Sequence, residues 1–189
     1  MHIRPARIDD ALGMAHVIVD AFLLANEGIM PEEALQRRRQ EWTYDVSARA
    51  WEKTLREIDE GSAPDSCIYV AVEQGDGEGS EEIVGLAYGI PSAAGGKGVG
   101  EVDVLYVRTD RQGQGIGRAL VQVTAAHLAR QGMSTLHIAT PENSLASRRF
   151  YEALGGQLSG TRDDYDDGIL IPLVVYAWPD TQALIAERR

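Results

Sequence analysis

A chain of 189 residues is long enough to bury one sizeable core, and a single domain is the organisation that length predicts. Its formal net charge of −11 argues against a nucleic-acid partner, because neutralising phosphates requires a basic face. The single cysteine, Cys67, excludes an internal disulfide and a cysteine-based metal cluster.

The N-terminal residues Met1-His2-Ile3-Arg4-Pro5 lack the apolar stretch of a secretion signal. A short strand is expected at residues 3–7. Asp9 or Asp10 then caps a helix on which Leu12, His16, Val19 and Leu23 share a face, and His16 reads as a packed histidine. Pro31 with Glu32 and Glu33 makes a favourable first turn for a second helix, placing acids at the positive end of its dipole. Arg37-Arg38-Arg39, with glutamates before and after, reads as a solvated helix face. Ser47 is expected to begin a third helix, carrying Trp51, Leu55 and Ile58 on one side and stopping at Gly61. Residues 21–66 are therefore helical matter between the first and second strands.

Residues 67–72 and 83–88 alternate as strands around the polar, glycine-rich loop 74–80, which predicts a hairpin with a long exposed tip. A turn at residues 93–98 leads into another strand at 101–107. A glycine-rich turn follows, then a helix on which Ile116, Leu120, Val123 and His127 recur, with Gly132 at its end. Residues 135–139 read as a strand. Asn143 or Ser144 can cap the next helix and Gly155 or Gly156 can close it. Within that helix Ala146, Phe150 and Leu154 form an apolar stripe expected to pack on the sheet. Asn143, Ser147 and Tyr151 form a separate polar-tipped stripe suited to lie along a ligand. An acidic tip, residues 163–167, precedes at least one more strand at 168–178. That last apolar run is about half of the roughly 20 residues a membrane span needs, and Pro172 interrupts it, so no membrane segment and a cytoplasmic chain are expected. The sum is an α/β (mixed α+β) fold, a mostly antiparallel sheet with helices on both faces.

The glycine-rich turn, Arg111-Gln112-Gly113-Gln114-Gly115-Ile116-Gly117-Arg118, narrows the chemistry most. Glycines at alternate positions let a ligand approach the backbone, and the free N–H groups of the first helical turn favour an anion. The competing reading is a turn whose glycines serve tight packing alone. A dinucleotide fingerprint would need glycine at Arg118, and no nucleoside-triphosphate P-loop tripeptide occurs. Gln112-x-x-Gly115-x-Gly117 is similar to the Q/R-x-x-G-x-G/A signature of the GNAT superfamily of N-acetyltransferases, which bind acetyl-coenzyme A. The segment Asn143-Ser144-Leu145-Ala146-Ser147-Arg148-Arg149-Phe150-Tyr151-Glu152-Ala153-Leu154-Gly155-Gly156 resembles the second motif of that family, in the expected order and spacing. The likeness covers roughly residues 68–178.

The resemblance implies a GNAT-like six- or seven-stranded sheet that splays open beside its fourth strand, built as one domain over 1–189, with 21–66 forming the acceptor-side wall. It implies acetyl-CoA as acyl-donor cosubstrate and no metal. The pantetheine arm is expected on the backbone of Leu105, Tyr106 and Val107, and the pyrophosphate on amides of Gln112, Gly113, Gln114, Gly115, Ile116, Gly117 and Arg118, with Arg118 adding charge. Asn143 and Ser147 are expected to contact the cofactor arm. Tyr151 matches the tyrosine that protonates the departing thiolate. Glu101 and Asp103 lie two apart, on one face of a strand that Leu105 and Val107 continue. A carboxylate on this strand serves as base in relatives, and Glu101 is preferred over Asp103. Cys67 reads as an inert buried thiol. The implied reaction is direct acetyl transfer to a primary amine of a small molecule, cationic rather than acidic. The alternatives are a protein N-terminal or lysine acetyltransferase and a non-catalytic acyl-CoA-binding module. No nucleic acid or membrane partner is expected, and the resemblance admits a homodimer.

Overall fold

The structure, a computed structural model, describes residues 1–28, 30–75, 77, 79–166 and 168–186. Asp76 and Glu78 of the expected hairpin tip and Asp167 of the expected acidic tip lie outside the described residues. In chain order the elements are β1 (His2–Pro5), α1 (Ala11–Ala25), α2 (Glu32–Glu41), α3 (Tyr44–Asp59), β2 (Cys67–Gln74), β3 (Glu81–Pro91), β4 (Val99–Val107), α4 (Ile116–Arg130), β5 (Thr135–Pro141), α5 (Leu145–Ala153), β6 (Gln157–Asp166), β7 (Ile169–Trp178) and α6 (Thr181–Ala186). The strands form one seven-stranded sheet of order β1-β2-β3-β4-β5-β7-β6. Pairing is antiparallel for β1 with β2, β5 with β7 and β6 with β7, whereas β4 and β5 run parallel. The β4–β5 ladder covers only the register Val99↔Thr135 to Glu101↔His137, although both strands continue beyond it. Among the described residues, no helix is long and apolar enough to cross a membrane.

Contacts group the chain into two compact units, Met1–Tyr88 with Val104–Val121, and Gly89–Asp103 with Gln122–Arg189. In the first, Met14, Val17 and Ile18 of α1 and Leu55 of α3 pack with Ile68, Val70 and Val72 of β2. Every residue from Cys67 to Val72 is buried, as expected of a strand covered on both faces. Two glycines in this unit serve packing. A Cβ on Gly13 would stand 2.8 Å from Ile83 Cγ1, and one on Gly85 would meet Leu120 Cδ1 at 3.1 Å and the Tyr106 carbonyl at 3.2 Å.

In the second unit Leu128, Leu136, Ile138, Tyr176, Trp178 and Leu184 are buried. Gly100 lets α4 settle on β4, because a Cβ there would lie 2.9 Å from Leu128 Cδ1. The Gln122 amide donates to the Leu184 carbonyl at 3.0 Å and so ties α6 to α4.

Four expectations change. The buried side of α1 is Ala11, Met14, Ala15, Val17, Ile18, Val19 and Ala21, while Leu12 is 51% exposed and His16 lies on the surface, stacked on Tyr44 at 4.0 Å. α1 packs on α3 as well as on strands, so its apolar arc is wide and the stripe from Leu12 runs along the solvent edge of that arc. α3 starts a turn before Ser47: the Thr43 hydroxyl accepts the Val46 N–H at 3.3 Å as the cap, and Ser47 is buried inside the helix. Asp163 to Asp166 are not a loop tip. They extend β6, paired from Asp163↔Pro172 to Asp166↔Ile169. β6 closes one edge of the sheet, and all its residues but Arg162 and Asp166 are exposed, so the acids remain hydrated while the backbone pairs with β7. On α5, Leu154 of the expected apolar stripe is buried, but Ala146 is exposed and Phe150 half-buried.

Candidate functional site

The glycine-rich turn belongs to the first unit. β4 ends in the half-buried Leu105, Tyr106 and Val107, where burial pushes the Tyr106 phenol up to about 12 and keeps it neutral. The Arg108 N–H donates to the Val84 carbonyl at 2.9 Å. The guanidinium of Arg108 donates to Asp110 at 2.6 Å, and that of Arg111 donates to Glu73 at 2.9 Å and Asp110 at 2.8 Å. Hydrogen bonding from Arg108 holds the Asp110 carboxyl below its ordinary range. The Gln112 amide reaches back to the Val107 carbonyl at 3.2 Å, and the Gln114 amide to the Asp110 carbonyl at 3.5 Å. Strand end, turn and helix start are thus fastened together without closing the concave side of the turn.

Gly113 and Gly115 adopt φ of 73° and 83°, the left-handed region that favours glycine. A Cβ at either would meet nothing within 4 Å. Unlike Gly13 and Gly85, these glycines do not serve packing; the left-handed backbone of the turn is what requires them. The first rung of α4 is Ala119 N–H to Gly115 carbonyl at 3.0 Å, so the amides of Ile116 and Gly117 lie ahead of the ladder. Ile116 is buried and anchors the helix start, while Gln112 to Gly115 are exposed. Amides ahead of the ladder at the positive end of a helix, in an exposed turn, suit an anion such as a diphosphate.

The second unit holds the carboxylates. Glu101, 4% exposed, has both oxygens engaged: Oε1 accepts from Arg162 Nη2 at 2.6 Å and Oε2 accepts from the Ser92 hydroxyl at 3.0 Å. The Ser92 oxygen in turn accepts the Gly95 N–H at 3.0 Å, which aims its proton at Glu101. Glu101 raises the pKa of Arg162, chiefly through that hydrogen bond. Asp103 stands two residues on, at the surface, and the hydrogen bonds that hold Glu101 have no counterpart there among the described residues. Partial desolvation first, then the neighbouring Glu101 and more distant Asp164, push the Asp103 carboxyl above its ordinary range, with Arg162 opposing. Ser92 and Arg162 had no signal in the sequence. Arg162 is the one basic residue beside the aspartates of β6, and its partner lies 61 residues away.

α5, in the same unit, carries Asn143, Ser147 and Tyr151 at or along its start and inner side. Asn143 is exposed, and the Ser144 hydroxyl donates to the Ser147 oxygen at 2.9 Å. Contrary to the expected stripe, Ala146 is exposed and Phe150 half-buried, whereas Tyr151 is 7% exposed. The tyrosine turns inward because β7 presents aromatic partners: its ring centroid lies 5.9 Å from that of Tyr176 and 6.3 Å from that of Trp178. The helix is clamped on that strand. Trp178 Nε1 donates to the Leu154 carbonyl at 2.9 Å, the Tyr176 hydroxyl donates to Glu152 at 2.7 Å, and a Cβ at Gly156 would collide with the Trp178 ring at 2.6 Å. Register places Glu101 in one row with His137 and Ala177, so Tyr176 and Trp178, which flank Ala177, point to the opposite face. The carboxylates and Tyr151 therefore approach this part of the sheet from opposite faces. Cys67, for its part, is buried on β2.

Residues 32–156 match the family model described as the acetyltransferase (GNAT) family. The mycothiol acetyltransferase of Saccharomonospora viridis is 27% identical over 157 residues, which cover 75% of this chain and 50% of that protein. The chain spans half or less of the length of the curated relatives it matches. Among solved structures, the fold is similar to the PaiA N-acetyltransferase of Thermoplasma acidophilum in complex with coenzyme A, at a TM-score of 0.66 and 17% identity, covering 93% of this chain and 96% of that one. It is also similar to the ribosomal-protein-alanine N-acetyltransferase of Brucella melitensis, at a TM-score of 0.67 and 19% identity, covering 94% and 99%.

Proposed function

Since the chain belongs to the acetyltransferase (GNAT) family, whose model spans its residues 32–156, we propose that it transfers an acetyl group from acetyl-CoA to a primary amine of a small molecule. The observation that carries this reading is the open turn: Gly113 and Gly115 hold left-handed backbone with nothing within 4 Å of either missing side chain. The amides from Gln112 to Arg118 are the proposed diphosphate ligands, and the backbone of Leu105 to Val107 the proposed partner of the pantetheine arm. The acetyl thioester supplies the activated carbonyl. The chain's own part is to bind it, to take a proton from the amine and to give one to the departing thiolate. The acid is Tyr151, held by the aromatic clamp on β7, and the base is a carboxylate of the Glu101–Asp103 row; in this reading the two reach one thioester from opposite faces through the gap beyond Glu101↔His137, where the β4–β5 ladder ends. Asn143 and Ser147 are assigned to the cofactor arm, near the start of the helix that presents Tyr151.

Charge supports a cationic acceptor. Glu101, Asp103 and Asp164 surround one guanidinium, Arg162, which leaves an acid excess that attracts an ammonium group. We assign the chain one cytoplasmic catalytic domain, with residues 21–66 on the acceptor side. Thiol release from acetyl-CoA in the presence of spermidine, glucosamine or an alanine-terminated peptide tests the function. Turnover with either small amine is the expected result, and turnover with the peptide alone would replace this reading with protein N-terminal acetylation. Calorimetry with acetyl-CoA and NADH tests the cradle separately, with binding of the former expected. Acetyl-CoA binding without turnover of any amine would leave only an acyl-CoA-binding module.

A further inference from the structure

The two carboxylates of β4 differ in a way that their spacing hides. Glu101 is buried and spends both oxygens, on Arg162 at 2.6 Å and Ser92 at 3.0 Å. Asp103 faces the same side of the sheet, reaches the surface and has no such bonds among the described residues. Resting on the acetyl-transfer reading above, we propose that Asp103 is the proton acceptor and that Arg162 divides the labour, pinning Glu101 as a fixed positioning group and leaving Asp103 available to the amine.

The chemistry of each group fits its post. A base must give up a site for the incoming proton, and Glu101 would first have to surrender a charge-assisted bond to Arg162 in buried surroundings. Asp103 surrenders nothing. As the amine nitrogen bonds to the acetyl carbon and the carbon–sulfur bond breaks, the nitrogen's proton passes to the Asp103 carboxylate, directly or through one water. The thiolate takes a proton from the Tyr151 phenol. Exchange with solvent then empties Asp103 and refills Tyr151, and the products are an amide and a free thiol.

The groups facing Asp103 are Glu101 on its own strand, Arg162 and Asp164 on β6, and His137 on β5, beside Glu101 in register. Glu101 pushes the Asp103 carboxyl up and Arg162 pulls it down. Their removal should therefore move its titration in opposite directions. The acid limb of kcat/KM follows those shifts only if Asp103 is the base, which a merely structural pair would not produce.

The test compares the parent with Asp103→Asn, Glu101→Gln, Arg162→Met and Arg162→Lys. Each is checked for folding by thermal melt and then assayed as kcat/KM against pH with glucosamine and spermidine. The ionisation of each amine is common to all variants, so displacement between curves belongs to the protein. Carboxyl-carbon NMR follows Asp103 and Glu101 directly and needs no turnover. Asp103→Asn should lower kcat/KM by about 10²-fold or more at neutral pH. Glu101→Gln should cost less than about tenfold and move the acid limb to lower pH, because Asp103 loses a like charge. Arg162→Met should move the limb and the carboxyl titrations to higher pH, since two coupled carboxylates then lack their cation, and Arg162→Lys should restore much of the parent profile.

Near-parent rates for Asp103→Asn together with collapse of Glu101→Gln would name Glu101 as the base and overturn the proposal. Displacement of the Glu101→Gln and Arg162→Met limbs in the same direction would overturn it as well. If no amine is turned over even by the parent, the acetyl-transfer reading fails by itself. The carboxyl titrations then judge the arrangement, and an Asp103 titration that stays in place when Glu101 or Arg162 is replaced would refute it.

Discussion

The turn at Gln112 to Arg118 and the carboxylate row at Glu101 and Asp103 solve opposite problems. The turn works with its backbone. Gly113 and Gly115 stand in open space, and the guanidiniums of Arg108 and Arg111 are tied to Glu73, Glu82 and Asp110, so the proposed binding groups are backbone amides. The row works with side chains whose behaviour depends on what other strands bring to them: Ser92 from the end of β3, Arg162 and Asp164 from β6. A backbone site is specified by a handful of consecutive residues. A side-chain site is specified by the fold, so identical carboxylates two residues apart acquire different characters.

The largest effect should come from breaking the backbone site. Gly115→Glu places a charged side chain where φ is 83° and faces a diphosphate with an anion. Loss of several charge-assisted hydrogen bonds, roughly 1.5–3 kcal/mol each, predicts at least about a hundredfold weaker acetyl-CoA binding by calorimetry. A folded variant that binds like the parent would show that the turn is not the cradle.

Next comes Tyr151→Phe, which keeps the ring between Tyr176 and Trp178 and removes the hydroxyl. Turnover should fall by about 10²–10⁴ while acetyl-CoA affinity stays close to the parent's. Unchanged turnover would assign the ring to packing and leave the thiolate's proton to solvent.

A smaller effect sharpens the contrast through stability. The folded Asp103 carboxyl titrates above its unfolded value, so its ionised form weakens the native state at neutral pH. That weakening is present above the folded pKa and is relieved as pH falls through it. Asp103→Asn should therefore stabilise the protein at neutral pH, and only modestly because the group reaches solvent. Urea melts at neutral pH and near pH 4 should converge for variant and parent at the acid end. A destabilised variant at neutral pH would contradict the sign.

The smallest effect concerns Asp164, which lies on the same side of the sheet as Arg162 and acts through space. Asp164→Asn should lower kcat/KM for spermidine by about two- to fivefold, and added salt should reduce the parent's rate toward the variant's, because exposed charges are screened beyond about 8 Å. A salt-insensitive rate would remove electrostatic steering from the account.

Legibility follows the same division. The glycine-requiring turn at Gly113 and Gly115 could be read because its signal is local to the sequence. The strand carrying Glu101 and Asp103 could be read from alternation, and a mostly antiparallel mixed sheet from the order of hairpins and helices, whereas six or seven strands were implied only by the family resemblance. Arg162 could not be found as the partner of Glu101, because nothing local to either residue encodes a bond across 61 positions. The acids from Asp163 to Asp166 resembled a loop because hydration usually means a turn, whereas an edge strand keeps its side chains hydrated while its backbone pairs. On α1, spacing found a periodic stripe but not which side of a wide apolar arc was buried. Thr43 was passed over as the cap because Ser47, one turn later, offered the same chemistry.

The placement of Arg162 on β6 bears on how such a protein diversifies. Most of that strand is exposed and leans on a single neighbour, β7. Replacements along it disturb little buried surface, so they fall among the mildest in their effect on folding. Yet one of its side chains, Arg162, reaches Glu101 on β4, three places away in the sheet. Under the proposed mechanism, a population of variants can therefore explore new acceptors and new working pH ranges by drifting along this edge, while the proposed diphosphate turn and the aromatic clamp stay untouched.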